Sequence, residues 1–151
     1  MPTSWRVRLV TDEPGLEACR ALRREVFVQE QGVSEEEEWD GRDGESRHLL
    51  ALGVSGPVGT ARVRLIGPHV AKVERVAVRK AFRGRGIGRL LMEAAERTAR
   101  ALGAREAVLG AQVTALPFYR RLGWTAEGPE FLDAGILHRR MRKTLFPEET
   151  G

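Results

Sequence analysis

Between Val76 and Leu91 the sequence reads VAVRKAFRGRGIGRLL, in which Gly84, Gly86 and Gly88 alternate with Arg85 and Ile87 behind Arg83. Glycine lets a backbone approach a ligand closely and adopt dihedrals that other residues avoid. The first amides of a helix present unpaired N–H groups at the positive end of its dipole. A helix opening near Gly86 would ordinarily carry Asp or Glu in its first turn, but the flank and first turn hold Arg83, Arg85 and Arg89 and no acid. An anionic ligand would supply the missing charge; judged alone, the run serves equally well as a sharp turn with solvated arginines. The G-x-G-x-G spacing fits neither the dinucleotide fingerprint nor the P-loop. An arginine-glycine arm for nucleic acid would be repetitive, whereas these glycines lie between a strand pattern and an amphipathic helix.

Other reactive side chains are few. His48 begins a strand, His138 lies on a closing strand and His69 follows a Gly-Pro turn. An imidazole suits base work, yet a lone histidine in a strand is more often structural. No set of His, Cys, Asp and Glu has metal-ligand spacing, so no metal is expected. Cys19, the only cysteine, falls on the apolar face of a predicted helix and reads as packing. It cannot form an internal disulfide, which fits a reduced, cytoplasmic setting.

These residues need a frame. SWRVRLV alternates apolar and basic residues at a strand's period, and TDEPGLEACRALRREVFVQEQ offers Thr11 or Asp12 as N-cap before Leu16, Cys19, Leu22 and Val26 at helical spacing. Residues 30–46 carry charges and glycines without periodicity and read as a loop or an irregular short helix. RHLLALGV and VGTARVRLI, joined across Ser55-Gly56-Pro57, suggest a hairpin, and KVERVAV a further strand. GIGRLLMEAAERTARALG places Leu91, Ala94, Ala95, Thr98 and Leu102 on one face, with Glu93/Arg97 and Glu96/Arg100 as exposed pairs and Gly103 as stop. A strand EAVLGA, a short helix TALPFYRRLG and two closing strands, WTAEG and GILHRRMRKTL, complete the chain.

The expected fold class is α+β: a mixed, mostly antiparallel central sheet with one parallel β-α-β crossover, flanked by helices. The 151 residues, 42% of them hydrophobic, have the length and core of a single domain, with a charged tail from about residue 146. The net charge of +4 comes from 25 basic residues scattered among 21 acidic ones, which favours anionic ligands without demanding nucleic acid. No apolar run approaches membrane-spanning length, so no membrane partner is expected.

The segment Arg83-Gly84-Arg85-Gly86-Ile87-Gly88 resembles the R/Q-x-x-G-x-G/A motif of the GNAT family of acyl-CoA-dependent N-acyltransferases, in the strand-to-helix context that motif requires. AQVTALPFYRRLGW, from Ala111 to Trp124, is similar to the family's later motif and follows the strand after the long helix. Two motifs in the right order are far more specific than either alone, and the elements fall in family order over most of the chain. REVFVQEQGV, RHLLA and FLDAGILHRRMRK are similar to a subgroup of small bacterial members, often of unassigned substrate. Lys80 stands where the family often has proline, and Gln112 where it has asparagine, keeping the amide.

The resemblance implies an acetyl-CoA-dependent N-acetyltransferase acting on a small amine or an exposed protein amine, the acceptor and any homodimer formation being left open. Backbone N–H groups from Arg83, Gly84, Arg85, Gly86, Ile87 and Gly88 would hold the donor's pyrophosphate. The pantetheine arm would pair like an extra strand along Val76, Ala77 and Val78, beside a splay between the parallel strands, with Gln112 bordering it. Tyr119, the only tyrosine, matches the family's general acid for the departing thiolate. Glu74, alternating onto the same side as Val76 and Val78, is a candidate base, although an ion pair with Lys72 or an arginine accounts for it at least as well. Glu35 to Glu38, with Asp40 and Asp43, fall where the family's variable loop borders the acceptor pocket and would attract a cationic amine. The four glutamates read better as a solvated loop, while Trp39 argues that part of the segment packs. The alternative functions are a non-catalytic acyl-CoA-binding regulatory module and, last, a basic nucleic-acid binder.

Overall fold

A computed structural model describes residues 4–146. The charged tail expected after residue 146 lies outside the described residues. Seven strands form one sheet in the order β1-β2-β3-β4-β5-β7-β6. They are β1 (Arg6–Leu9), β2 (Arg47–Gly53), β3 (Gly56–Gly67), β4 (Val70–Val78), β5 (Glu106–Gln112), β6 (Thr125–Asp133) and β7 (Ile136–Thr144). Only β4 and β5 pair in parallel, joined by the crossover helix α3 (Ile87–Ala101). Mixed topology with one parallel pair is what the element order predicts, because a parallel neighbour needs a long crossover. Among the described residues no helix is long and apolar enough to cross a membrane.

The two faces of the sheet are covered by different helices. Leu49, Ala51, Ala61, Val63, Ala71 and Val73 meet Ile87, Leu91, Met92 and Ala95 of α3 in the main core. On the other face Cys19 and Leu22 of α1 (Glu13–Arg23) pack on Leu50. Asp12 caps α1 by accepting from the Gly15 amide at 2.9 Å. The Cys19 thiol donates to the Leu49 carbonyl at 3.7 Å and burial pushes its pKa up, so it is a packing residue rather than a nucleophile.

Past Arg23 the helix continues for seven residues in π geometry, from Arg24 to Glu30, a local widening that apolar spacing does not reveal. Ser34 then caps a single turn, α2 (Glu35–Glu38). Of the pairs expected on α3, Glu96/Arg100 forms at 3.9 Å, although Glu96 is not exposed. Glu96 is buried and holds the Lys143 ammonium at 2.8 Å, which also donates to the Leu122 carbonyl at 2.7 Å, while Glu93 pairs with Arg89 at 3.0 Å. Helical spacing reads Glu96 as exposed, but Lys143 of β7 supplies it with a cation.

The last hairpin turns on Ala134 and Gly135, both at positive φ, 51° and 76°. This two-residue turn favours Asn or Gly at its first position, since a Cβ is strained there. Ala134→Asn is therefore expected to stabilise the protein by about 0.5–1 kcal/mol. A thermal melt would show it as a Tm higher by a few degrees; an unchanged or lower Tm would mean that the turn stores no strain.

Candidate active site

Pairing between β4 and β5 covers only Val70, Ala71 and Lys72 against Glu106, Ala107 and Val108. Beyond those pairs the strands diverge, and the sheet opens into a cavity of about 330 Å³. Its walls are β4 from Lys72 to Val78, with its edge free beyond Lys72, the end of β5, Tyr119 on α4 (Leu116–Arg121), the hairpin of β6 and β7, and the π-helical segment with α2. Glu74, Val76, Ala77, Val78, Arg83, Gln112 and Tyr119 share this cavity, although they come from three separate stretches of chain.

A β-bulge shapes the edge of β4. Thr60 pairs with Ala77 and Arg62 with Glu74, so Arg75 and Val76 together oppose the single residue Ala61, and Arg75 has a φ of 55°. The extra residue corrects one expectation. Glu74 does not fall on the side of Val76 and Val78: it shares the α1 face with Arg62, whereas Val76 and Val78 turn to the α3 core. Strict alternation from Glu74 to Val78 fails because a bulge adds a step of one.

Of the glycine-arginine run only Arg83 lines the cavity; Gly84, Arg85, Gly86, Ile87 and Gly88 follow it into α3. α3 begins at Ile87 with Gly86 as N-cap, no side chain caps it, and no acid occupies its first turn. Gly84 and Gly86 have φ of 78° and 84°, with nothing within 4 Å of where a Cβ would stand. They serve backbone conformation and leave the approach open. Gly88 does something else: a Cβ there would come within 3.1 Å of the Phe118 ring, so its small size seats α3 against α4. The Ile87 side chain is buried in the main core and anchors the first turn. Arg83 grips Glu30 through both terminal nitrogens, at 2.6 and 2.7 Å, and donates Nε to the Val78 carbonyl at 2.9 Å. Arg85 lies over the Phe82 ring at 5.6 Å. Gln112 donates to the Gln31 side-chain oxygen at 2.8 Å, tying the end of β5 to the π-helical segment. Neither Glu30 nor Gln31 carries a spacing signal that points to these contacts, since both pairings are long-range.

Tyr119 is 8% exposed, packed edge-on against Phe118 and Trp124 at 5.0 and 6.4 Å. Burial pushes its phenol up to about 12, so it stays protonated and able to donate at neutral pH. Among the described residues its hydroxyl has no hydrogen-bond partner.

Behind β4 lies a network of arginines and acids. The fully buried Arg62 donates Nη1 to Asp40 and Asp43, both at 2.9 Å, and Nη2 to Asp40 at 2.6 Å, with Glu74 at 3.1 Å. Arg23 holds Glu38 and Asp43 at 2.8 Å, and Arg75 holds Glu38 at 2.9 Å. The acidic segment is thus split in use: Glu38, Asp40 and Asp43 are folded onto the sheet by arginines, whereas Glu36 and Glu37 are exposed. Trp39 packs beneath the guanidinium groups of Arg23 and Arg24, at 5.1 and 5.3 Å, as a tryptophan amid those acids suggests.

Burial raises the Asp43 carboxyl, but hydrogen bonds from Arg23, Arg62 and Arg20 outweigh it and hold the group at about 2. The Arg62 hydrogen bonds hold Asp40 below the ordinary carboxylate range. Glu74 contacts Arg64 at 2.5 Å, Arg62 at 3.1 Å and Lys72 at 3.8 Å, so the ion-pair alternative for this residue is present. Burial opposes its ionisation, yet the charge of Arg62 and the Arg64 hydrogen bond still lower its pKa. A carboxylate paired in this way accepts a proton poorly.

Comparison with known proteins agrees with this arrangement. Residues 10–145 match a family model described as an acetyltransferase (GNAT) domain. The uncharacterized N-acetyltransferase YjcF of Bacillus subtilis is 40% identical over 136 residues, which cover 89% of this chain and 96% of that protein. A solved structure from Lactobacillus plantarum superposes with a TM-score of 0.87 at 30% identity, covering 95% of this chain and 99% of the other. An acyl-CoA N-acyltransferase from Pseudomonas aeruginosa does so with a TM-score of 0.79 at 29% identity, covering 95% and 100%.

Proposed function

The chain belongs to the GNAT family of acetyltransferases, and from that premise we propose that this N-acetyltransferase takes its acetyl group from acetyl-CoA and passes it to a primary amine of a small molecule or a protein. One juxtaposition carries the reading: the acid-free N-terminus of α3 follows the end of β4, whose Val76–Val78 edge is unpaired on the β5 side, and Arg83 ties the two by donating to the Val78 carbonyl. A coenzyme A thioester has a pyrophosphate near one end, a thioester at the other and an amide-bearing arm between. That is the order of an anion site, a free strand edge and a cavity. The acyl-CoA N-acyltransferase from Pseudomonas aeruginosa, at 29% identity, supports the donor class.

In this reading the amides from Arg83 through Gly88 hold the pyrophosphate, which competes with Glu30 for the Arg83 guanidinium. The arm pairs with β4 at Val76, Ala77 and Val78, and an N–H on that edge stabilises the oxyanion of the tetrahedral intermediate. Gln112, held by Gln31, borders the arm from the β5 side. Tyr119 gives its proton to the departing thiolate. Glu74, already paired with Arg64, Arg62 and Lys72, stays ionised and takes no proton from the acceptor's ammonium. The whole chain works as one domain, and a cytoplasmic setting fits a donor made inside cells.

A binding measurement tests the donor site directly. Saturating acetyl-CoA at about 100 times its Kd should stabilise the protein by about 2.7 kcal/mol and raise Tm by several degrees. Gly86→Val, which forces a β-branched residue into φ near 84°, should abolish most of that shift. No shift at millimolar acetyl-CoA would sink the reading. A shift without thiol release across a broad amine panel would leave a binding module instead.

A further inference from the structure

We propose that His138 is the general base, taking the ammonium proton of the acceptor; the assignment deepens the acetyltransferase reading and rests on it. His138 is on β7, opposite Gln112 of β5 on one side and Phe131 of β6 on the other, and lines the cavity that Tyr119 also lines. Its Nδ1 is 2.7 Å from the carbonyl oxygen of Ile136. A carbonyl oxygen can only accept, so Nδ1 carries the proton, and in the neutral ring Nε2 keeps its lone pair. Phe131 stacks on the imidazole with centroids 5.8 Å apart and planes 24° apart, which sets the ring's orientation. Gly110 gives the phenyl its room, since a Cβ there would stand 3.3 Å from it. Tautomer and ring plane are therefore set before substrate arrives.

The other histidines cannot take this role. His48 donates Nε2 to the Asp43 carbonyl at 2.9 Å, leaving its basic Nδ1 buried without a partner behind the sheet, and burial lowers its pKa. His69 is exposed and lies outside the cavity wall. Glu74 is neutralised by Arg62 and Arg64 on the α1 face.

The charges around His138 leave its base free to act. β5 offers it only the neutral Gln112 and Gly110, and its neighbour on the same side of β7, Arg140, pairs with Glu127 at 3.2 Å. β6 brings Asp133 to the cavity wall, a negative charge that draws an ammonium toward the ring. Across the cavity, β4 presents Glu74 with Lys72 and Arg75, and Arg75 is paired with Glu38. Arg83 is paired with Glu30, and Glu37 belongs to the cap of α2.

The step balances. His138 Nε2 takes one proton from R–NH3+, and the amine lone pair forms the C–N bond to the thioester carbonyl, whose π electrons move to oxygen. As that oxyanion collapses the C–S bond breaks, and the thiolate takes the Tyr119 proton. A second proton leaves nitrogen as the amide forms and returns to the tyrosinate through water. His138 releases its proton to solvent, so one acetyl group moves and one proton is freed.

The test follows thiol release from acetyl-CoA with a panel of primary amines, from spermidine to peptide amino termini, across pH. His138→Gln should lower kcat about 100-fold with acetyl-CoA stabilisation unchanged and remove the acid limb of the kcat/KM profile. His138→Ala should regain activity with added imidazole, which a packing role would not allow. A His138→Gln protein that keeps wild-type kcat, or its acid limb, overturns the assignment while the acetyltransferase reading stands. A wild-type protein that acetyl-CoA does not stabilise overturns both.

Discussion

Arg62→Met is expected to lower the free energy of unfolding by about 3–5 kcal/mol, a large share of the 5–15 kcal/mol typical of a domain. Methionine keeps the bulk but leaves Asp40, Asp43 and Glu74 without the cation that joins them. Removing one partner from a buried ion network costs far more than the network contributes over an apolar substitute, because the orphaned charges stay desolvated. Thermal and urea unfolding would measure it, with Tm falling by roughly 10 °C. A loss below about 1 kcal/mol would mean that water replaces the guanidinium and that the cluster behaves as a surface one.

The same cluster makes stability depend on pH, and the sign follows from depressed carboxyl pKa values. Such groups stabilise the fold fully above their unfolded values, near 4, and the contribution is lost as pH falls through the folded value, about 2 for Asp43. The wild-type protein should therefore lose stability between about pH 4 and pH 2, and Arg62→Met should show a shallower loss over that window.

Tyr119→Phe is expected to lower kcat about 100-fold, leaving the fold and acetyl-CoA binding nearly intact. The hydroxyl has no protein partner among the described residues, so its removal orphans nothing, and the ring keeps its contacts with Phe118 and Trp124. A phenol at about 12 is a weak acid toward an ordinary thiol near 8.5. Desolvation beside the buried phenol also raises the pKa of a thiol leaving there, which brings the two closer together. Steady-state kinetics with saturating acceptor, beside a binding isotherm for acetyl-CoA, separate the two effects. Unchanged kcat under chemistry-limited conditions would leave the thiolate to depart unassisted.

Local chemistry made the uncapped, acid-free start of α3 legible. The acid-free start after Gly84-Arg85-Gly86 pointed to an anion, and the helix begins at Ile87, directly after that run. Tyr119, Val76, Val78 and Gln112 were placed together only through resemblance, and they line one cavity. What escaped were distances and sides. Nothing local distinguishes Arg75 in a bulge from an arginine in regular alternation, so Glu74 was put on the wrong face. Glu96 has the helical spacing of an exposed acid, and its burial depends on Lys143, far along the chain. His138 reads as a solitary strand histidine until the hairpin turn brings Ile136 and Phe131 to its ring.

Sequence alone determined the element order, the single parallel crossover, the inert role of Cys19 and the glycine turn that ends in an uncapped helix. Each of these follows from periodicity, capping and backbone freedom within a few residues. Tertiary structure alone decided where the sheet splays, which face Glu74 takes, which of the acids are bound by arginines, and which histidine nitrogen keeps its lone pair. Those depend on strand register and on charges meeting across 22 positions of chain, as Arg62 does with Asp40, or 53, as Arg83 does with Glu30. A one-residue bulge is enough to reverse them.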